Sequence, residues 1–179
     1  FNACELRVAL ALLGHDQPQE DLHDWNLKNV FTRTKSRENA KKRIFSWLYN
    51  PNSTDDKVDK IYDRKILKDM YFDKVLGKVY TQFGREIDAD EDHAISYIIQ
   101  STAADLVFEQ MHAVWEFLKD KKSFVKFCNH DSLVIDLSEE DQYDINQISK
   151  LFSNTRFGKF KVNHEGGKNW ANMKPLSIK

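Results

Sequence analysis

The chain has 179 residues, of which 41% are hydrophobic and 31% are charged, and its 27 basic and 28 acidic residues leave a formal net charge of −1. This length suffices for one compact domain or two small subdomains. Because the net charge is close to zero, an overall basic charge cannot make this protein bind nucleic acid. Any nucleic-acid site must come from local clustering of charge.

The composition also excludes several kinds of site. The two cysteines, Cys4 and Cys128, form no CxxC motif and no zinc-ligand spacing, which favours free thiols in a reducing compartment. The longest apolar run, residues 8–13, is far shorter than the ~20 residues that cross a bilayer, so we expect a cytoplasmic protein with no membrane partner. The six glycines form no GxGxxG, GxxxxGK[ST] or GxSxG motif, which excludes the common phosphate-binding loops and the nucleophile elbow.

The first half of the chain is predicted to be mostly helical. The apolar segment 1–13 has no helix cap and no polar lead-in, so we expect an element entered midway and a missing N-terminal part. A helical pattern over 36–49 ends just before a proline, and a charged amphipathic segment over 54–76 predicts a second helix. Residues 78–87 predict a short hairpin around a glycine.

The second half combines helices with short strands. A long helix is predicted over 91–118, where apolar residues recur at helical spacing. Two apolar runs within 124–137, separated by the polar residues 129–132, predict a tight hairpin. A capped helix over 138–152 and a last strand over 157–164 follow. The fold class is therefore α+β, mostly helical, with a small antiparallel sheet.

The helix over 36–49 carries the first candidate site. Arg37, Lys41, Phe45 and Tyr49 are spaced by four residues and share one broad helix face. They lie in or beside a stretch, 28–43, that holds seven basic residues and one acid, so an anion is expected to neutralise it. Phosphates suit this pattern because Arg and Lys pair with phosphate oxygens and an aromatic ring can stack on a base or sugar. The alternative is a solvated charged face with both aromatic rings in the core.

The polar hairpin tip, Asn129-His130-Asp131-Ser132, carries the second candidate site. Flanking strands would hold the Asp131 carboxylate and the His130 imidazole outward, where Asp131 could act as a metal ligand or a base. The alternative is that these residues serve only the turn conformation. Magnesium usually takes one or two carboxylates together with substrate phosphates, so Asp131 would supply half of a site. Glu5 is a further carboxylate, but its neighbours do not identify it as a ligand.

With both sites in place, the chain resembles the C-terminal part of a family A (DNA polymerase I-like) DNA polymerase over nearly its whole length, with motifs in the family order. Residues 1–8 are similar to the first motif, D-[YF]-S-x-x-E-[LI]-R, entered just after its catalytic aspartate. The spacing of Arg37 to Tyr49 matches the second motif, RxxxKxxxFxxxYG, with Asn50 in place of glycine. Residues 99–105 resemble the QGTAAD helix in the QS form of viral and mitochondrial branches, and 130–132 resemble the HDE motif with serine for glutamate. A viral, phage-like branch is expected.

The resemblance implies a right-hand polymerase fold and template-directed addition of deoxynucleotides to a primer 3′ end, with two Mg²⁺ ions. Lys41 and Arg37 would bind the incoming triphosphate as catalytic residues, and His23 would be a further phosphate contact. Phe45 would pack on the sugar and base of the nucleotide. Tyr49 would form the wall of the insertion site near the template.

The remaining residues carried over from the family concern the sugar, the DNA and the metal. Glu5 would exclude a 2′-hydroxyl from the nucleotide site. Gln100 and His130 would contact the primer terminus and its minor groove. Asp131 would be a catalytic metal ligand, and the backbone carbonyl of Phe1 would also bind metal.

The same resemblance predicts the organisation of the chain. Residues 1–22 would end the first palm motif, 23–90 would form helical fingers, and 91–179 would form the C-terminal palm with the catalytic hairpin. The expected partners are primer-template DNA, deoxynucleoside triphosphates and the N-terminal remainder of the polymerase, without which the chain is expected to be inactive. The expected location is the nucleoid, or the host cytoplasm for a viral protein.

Two rival functions stay open at this point. A single-subunit RNA polymerase shares the fold, although Glu5 and Phe45 argue against it. A non-catalytic DNA-binding or structural subunit is suggested by the absent first aspartate.

Overall fold

The structure is a computed structural model that describes residues 1–31 and 36–178. The helices in these ranges are α1 (Cys4–Leu12), α2 (Leu22–Asn29), α3 (Arg37–Tyr49), α4 (Asp56–Asp59), α5 (Arg64–Tyr71), α6 (Ala94–Leu118) and α7 (Ile145–Ser153). Short 3₁₀ helices span Glu139–Asp144 and Trp170–Asn172. None of the helices in the described ranges has the length and apolar character needed to cross a bilayer.

The strands form small antiparallel sheets rather than one large sheet. They are β1 (Phe72–Asp73), β2 (Lys78–Tyr80), β3 (Glu86–Asp88), β4 (Phe124–Asn129), β5 (Ser132–Asp136), β6 (Asn154–Thr155), β7 (Gly158–Lys159), β8 (Glu165–Gly166) and β9 (Lys174–Pro175). The sheet order is β1-β2-β3, and the pairs β4-β5, β6-β7 and β8-β9 stand alone. The predicted α+β class with small antiparallel sheets is confirmed.

Helix α6, which confirms the long helix predicted from its apolar spacing, is the central support of the core. It packs against α1, α3, α5, α7, β2 and β4. The residues predicted to face inward are all buried, namely Ile95, Ile99, Thr102, Leu106, Val114 and Leu118. Because one helix supports both halves of the chain, it sets the position of the site residues carried by its neighbours.

Helix α3 forms where the pattern predicted. The Ser36 hydroxyl accepts a hydrogen bond from the Asn39 N–H at 3.3 Å and caps the first turn. The helix ends at Tyr49, and Pro51 follows shortly after. Its buried side consists of Ala40, Ile44, Trp47 and Leu48. The opposite side is therefore left to the spaced basic and aromatic residues.

The single helix predicted over 54–76 is wrong. The chain instead forms α4 and α5 and then enters β1, and a separate aspartate, Asp55 or Asp63, caps each helix. Between them Tyr62 turns fully into the core, where its hydroxyl donates to Asn26 Oδ1 at 2.8 Å. Burial of the Tyr62 ring requires a break in the predicted helix, and helical periodicity alone does not reveal that break.

The strand predicted over 157–164 is also wrong. Gly158, with φ of +94°, closes a tight turn that pairs β7 with β6. Phe160 is buried in the main core, and its N–H donates to the Ser153 carbonyl at 2.9 Å. Only residues 158–159 of this segment form a strand, paired with β6, and the next residue is bound to the end of α7.

The predicted hairpin over 124–137 is confirmed as β4 and β5, with an added bulge. The cross-strand pairs are Val125 with Ile135 and then Phe127 with Val134, so one extra residue, Lys126, lies in β4. Val125 and Ile135 pack on the cluster that includes α6 and α7. The turn of this hairpin holds the second candidate site.

Trp47 provides a test of the core beneath α3. Its side chain is fully buried, and its indole N–H donates to Asp59 Oδ1 at 2.6 Å. Trp47→Ala is expected to lower the free energy of unfolding by about 3–5 kcal/mol, because it leaves a cavity and an unpaired acceptor. Urea denaturation followed by circular dichroism measures the change. Trp115→Ala, which truncates a half-exposed tryptophan of α6, should cost much less.

Candidate functional site

The four spaced residues of α3 form one continuous surface, which we call the α3 stripe (Arg37, Lys41, Phe45 and Tyr49). The Lys41 Nζ atom lies 5.5 Å from the centre of the Phe45 ring. The Phe45 and Tyr49 rings stack with their centroids 5.9 Å apart. Phe45 is partly buried and packs against the main core, whereas Tyr49 is 45% exposed, so the alternative that places both rings in the core is wrong for Tyr49.

Carboxylates of the chain neutralise most of the basic residues around the α3 stripe. The pairs are Lys28 with Glu20, Arg37 with Asp21 and Asp24, Lys42 with Glu38, and Arg43 with Asp55. The other two predicted basic residues, Arg33 and Lys35, lie outside the described residues. Within the described part of the chain, Lys41 forms no such ion pair. Its ammonium group is therefore available to an anionic ligand.

Arg37 is held by two acids that sequence reasoning did not single out. Its Nη2 atom lies 2.9 Å from Asp21 Oδ1, and its Nε atom lies 3.0 Å from Asp24 Oδ1. Burial opposes ionisation of Asp21, but hydrogen bonds from Asn2 and Arg37 lower the pKa of this carboxyl to about 2. Asp21 also caps α2, a role that Asp residues often take. A phosphate that binds Arg37 must therefore compete with ionised carboxylates.

An open cleft lies over the N-terminal part of the α3 stripe. It has a volume of about 560 Å³ and is lined by Arg37, Glu38, Lys41, Lys42 and Phe45. All five of these residues belong to α3. With three cations, one acid and one aromatic ring, the lining of the cleft suits an anionic ligand that also has a flat apolar part.

The C-terminal end of the α3 stripe meets two residues from other elements. The Tyr49 hydroxyl donates a hydrogen bond to Glu5 Oε2 of α1. Burial and this bond to Glu5 raise the pKa of Tyr49, while a hydrogen bond with the Gln100 side chain of α6 opposes the rise. The structure therefore brings Glu5, Tyr49 and Gln100 together, although they are far apart in sequence.

His23 lies beside the α3 stripe, with its ring centroid 6.1 Å from that of Phe45. Only 8% of His23 is exposed, and its Nδ1 atom is buried with no hydrogen-bond partner among the described residues. Burial lowers the pKa of this imidazole, and the nearby Arg37 and Lys41 lower it further. His23 is thus neutral near pH 7, and its buried nitrogen has unused hydrogen-bonding capacity.

The second candidate site lies at the turn between β4 and β5. Asp131 is half-buried there, His130 is exposed, and the Phe1 nitrogen donates to the Asp131 carbonyl oxygen at 2.7 Å. Both non-glycine residues with positive φ in the described ranges flank this contact: Ala3 at +54° and His130 at +51°. Such backbone is disfavoured for residues with a Cβ atom and is found where the surrounding structure imposes it, often at functional sites.

Asn2 connects this turn to the α3 stripe. It follows Phe1 directly, and its Nδ2 atom donates to Asp21 Oδ2 at 2.8 Å. Asp21 in turn accepts from Arg37. A series of contacts therefore links the backbone of Asp131, through Phe1 and Asn2, to Asp21 and Arg37.

Arg7 stabilises this junction from below. It is fully buried, and its guanidinium donates to the Asn2 carbonyl at 2.8 Å, the Pro18 carbonyl at 2.7 Å and the Glu20 carbonyl at 3.0 Å. Burial lowers the pKa of Arg7, and its carbonyl partners offset part of the desolvation. The loop before α2 is thereby held against the start of α1.

The donors near Asp131 fit a magnesium ion in part. No group of three His, Cys, Asp or Glu side chains able to hold a metal occurs within residues 1–31 and 36–178. Burial raises the pKa of Cys4 to about 12, so this thiol is protonated and is not a ligand. One carboxylate suits Mg²⁺ when substrate phosphates and water complete its shell, and Asp131 is the carboxylate at this turn.

The comparisons with known proteins agree with this fold. No family model and no curated protein matches the sequence. Among solved structures, the POL domain of Pol1 from M. smegmatis, in complex with DNA primer-template and dNTP, matches with a TM-score of 0.66 and 19% sequence identity. The alignment covers 86% of this chain and 35% of that chain, so the chain spans about a third of the polymerase structure. The α+β fold of this chain is that of polymerase fingers and palm, as predicted.

Proposed function

We propose that this chain is the fingers and C-terminal palm of a template-directed DNA polymerase of family A, from a viral, phage-like branch. The observation that carries the proposal is the meeting of Glu5 and Gln100 with Tyr49 at the end of the α3 stripe. Glu5, Tyr49 and Gln100 belong to three different sequence motifs. The polymerase fold of the solved neighbour supports the same assignment.

The nucleotide occupies the cleft over the α3 stripe in this proposal. Lys41 and Arg37 bind the triphosphate, and charge that develops on the phosphate oxygens in the transition state strengthens both contacts. His23 donates a hydrogen bond from its imidazole ring to a phosphate oxygen. Phe45 packs on the sugar and base, and Tyr49 closes the far end of the cleft near the template.

Asp131 and the Phe1 carbonyl oxygen would hold magnesium, with the second carboxylate coming from the remainder of the catalytic domain. When bound, two magnesium ions would polarise the reacting phosphate and stabilise the charge on the leaving pyrophosphate. The chain's own contribution is to hold the Asp131 carboxylate at a constrained turn. The hydrogen bond from the Phe1 nitrogen to the Asp131 backbone carbonyl joins that turn to the segment before α1.

The remaining residues select the sugar and hold the DNA. Glu5, held by Tyr49, narrows the space beside the sugar and would exclude a 2′-hydroxyl. Gln100 and His130 would contact the primer terminus. The proposed boundaries are 1–22 for the end of the first palm motif, 23–90 for the fingers and 91–179 for the palm.

Asp24→Asn tests the competition between acids and phosphate at Arg37. Losing one carboxylate frees part of the guanidinium, so KM for the nucleotide is expected to fall about two- to fivefold with kcat little changed, in keeping with an exposed ion pair. Steady-state primer extension measures both constants. Glu116→Gln removes an exposed ion pair with Lys119, 3.1 Å away on α6, and should leave KM unchanged. An increase in KM for Asp24→Asn would contradict the competition.

Primer extension by the chain joined to the remainder of the domain tests the proposed function. Extension with deoxynucleotides and Mg²⁺, and little extension with ribonucleotides, is the expected result. Equal use of ribonucleotides would favour the RNA polymerase alternative. DNA binding without Mg²⁺, together with no extension by the joined parts, would favour a non-catalytic DNA-binding subunit.

A further inference from the structure

An exposed aromatic surface lies on the outer face of the β4-β5 hairpin, away from the helices. Without the bulge at Lys126, Phe124 and Phe127 would point to opposite faces, because they are three residues apart. The bulge shifts the alternation, so Phe124 pairs with Asp136 and Phe127 pairs with Val134 on the outer face. Phe124 is 48% exposed and Phe127 is 49% exposed.

Trp170 extends this surface from a separate hairpin. Its ring stacks on Phe127 with the centroids 6.0 Å apart and an interplanar angle of 28°. It remains 60% exposed, so one face of the stacked pair is open to solvent. We call Phe124, Phe127 and Trp170 the aromatic platform.

The loop that carries Trp170 is held in place by several contacts. The Asn172 N–H donates to the Asn169 carbonyl at 3.1 Å, which forms the turn around Trp170. A Cβ atom at Gly167 would lie 2.5 Å from the Asn172 carbonyl oxygen, so only glycine fits there. His164, at the start of this hairpin, is hydrogen-bonded to the Ser149 hydroxyl of α7 at 2.8 Å. The tryptophan therefore lies on a constrained loop. Binding a ligand would cost little further conformational entropy.

Lysines lie on the strand and on the hairpin that carry the aromatic platform, and one of them, Lys126, is paired with Asp136 at 3.4 Å. The Lys126 Nζ atom lies 4.8 Å from the centre of the Phe124 ring. Lys168 and Lys174 belong to the same hairpin as Trp170. Across residues 158–178 the sequence has four lysines and one acid, Glu165, so this segment is basic although the whole chain is not. The lysines of this segment, together with the exposed rings, are complementary to a polyanion with flat rings.

We infer that the aromatic platform binds unpaired bases of single-stranded nucleic acid, with the lysines at the phosphates. Stacking on Phe127 and Trp170 requires a free base face, which a duplex does not offer because its bases already stack on one another. An acidic protein partner would satisfy the lysines but would leave the exposed ring faces without a matching flat surface. This binding site is distinct from the nucleotide cleft and needs neither magnesium nor a nucleoside triphosphate.

Fluorescence anisotropy with a labelled oligothymidylate in EDTA tests the inference. Trp170→Ala and Phe127→Ala should each raise Kd about fivefold or more, which is the effect of losing one stacked base. Trp170→Phe keeps an aromatic ring and should retain most of the affinity. Lys168→Ala should reduce the salt dependence of binding by about 0.7 in the slope of log K against log salt.

Matched controls separate this site from the proposed function. Trp115→Ala removes another exposed tryptophan, which is 50% exposed and lies on α6, stacked on His112. This variant should leave Kd unchanged. Unchanged affinity in both platform variants, or an equal loss of affinity for duplex and single strand, would overturn the inference. Neither result would affect the polymerase assignment, which depends on extension. Conversely, a chain that binds oligothymidylate through the platform but never extends a primer would retain this site and lose the proposed function.

Discussion

Asp131→Asn is expected to reduce primer extension by about a thousandfold or more while leaving the fold intact. Asparagine keeps the shape of the side chain at the turn but removes the charge that a magnesium ion needs, and metal stabilisation of the reacting phosphate is worth several kcal/mol. Rates of single-nucleotide incorporation at saturating substrate, measured over a range of Mg²⁺ concentrations, give the effect. The half-exposed position of Asp131 makes a large loss of stability unexpected.

A control for this variant lies on the same hairpin. Asp136→Asn also removes a carboxylate, but Asp136 faces Lys126 at 3.4 Å and lies at the opposite end of β5 from the turn. It should extend primers at close to the wild-type rate. Near-normal extension by Asp131→Asn would show that this turn does not bind the catalytic metal. It would thereby contradict the proposed catalytic site.

Lys41→Ala is expected to lower kcat/KM for the incoming nucleotide by about a hundred- to a thousandfold. Within the described residues this lysine has no carboxylate partner and lines the cleft over the α3 stripe, so its charge is free to stabilise the reacting phosphates. Removing one such group from a developing charge usually costs a few kcal/mol of transition-state stabilisation. Single-turnover incorporation separates the loss in binding from the loss in the chemical step.

The neighbouring lysine supplies a matched control for Lys41. Lys42 lies one residue further along α3 and pairs with Glu38 at 3.6 Å. Lys42→Ala removes the same charge from the same cleft, and we expect less than a fivefold change, as for an exposed ion pair. Lys41→Arg should recover part of the lost activity because it restores a cation. Equal effects of Lys41→Ala and Lys42→Ala would mean that only the overall positive charge of the cleft matters.

The proposed catalytic turn is joined to the first helix through strained backbone. Ala3 and His130 both adopt positive φ, and the hydrogen bond from Phe1 to the Asp131 carbonyl lies between them. Such conformations persist only when the surrounding contacts compensate for their cost. The buried Arg7, with its three carbonyl partners, provides such contacts and thereby positions the proposed metal ligand.

Local patterns in the sequence predicted the elements that carry most of the candidate residues, but not α2, which carries His23. The four-residue spacing of the α3 stripe placed its members on one helix face because side-chain direction in a helix depends only on position along the chain. The same reason holds for the buried positions of α6. The polar turn between two apolar runs predicted the β4-β5 hairpin, since turn residues and alternation are also local signals.

Contacts between distant residues were decided only by the tertiary structure. The sequence around Arg37 does not predict that Asp21 and Asp24 pair with it. It also does not predict that Glu5 and Gln100 meet at Tyr49. The break before α5 arises because Tyr62 is buried against Asn26, and the platform of Phe127 and Trp170 arises from a single bulge and the docking of a separate hairpin. Helical and turn preferences act over a few residues, whereas these arrangements depend on how whole elements pack around α6, which no local pattern specifies.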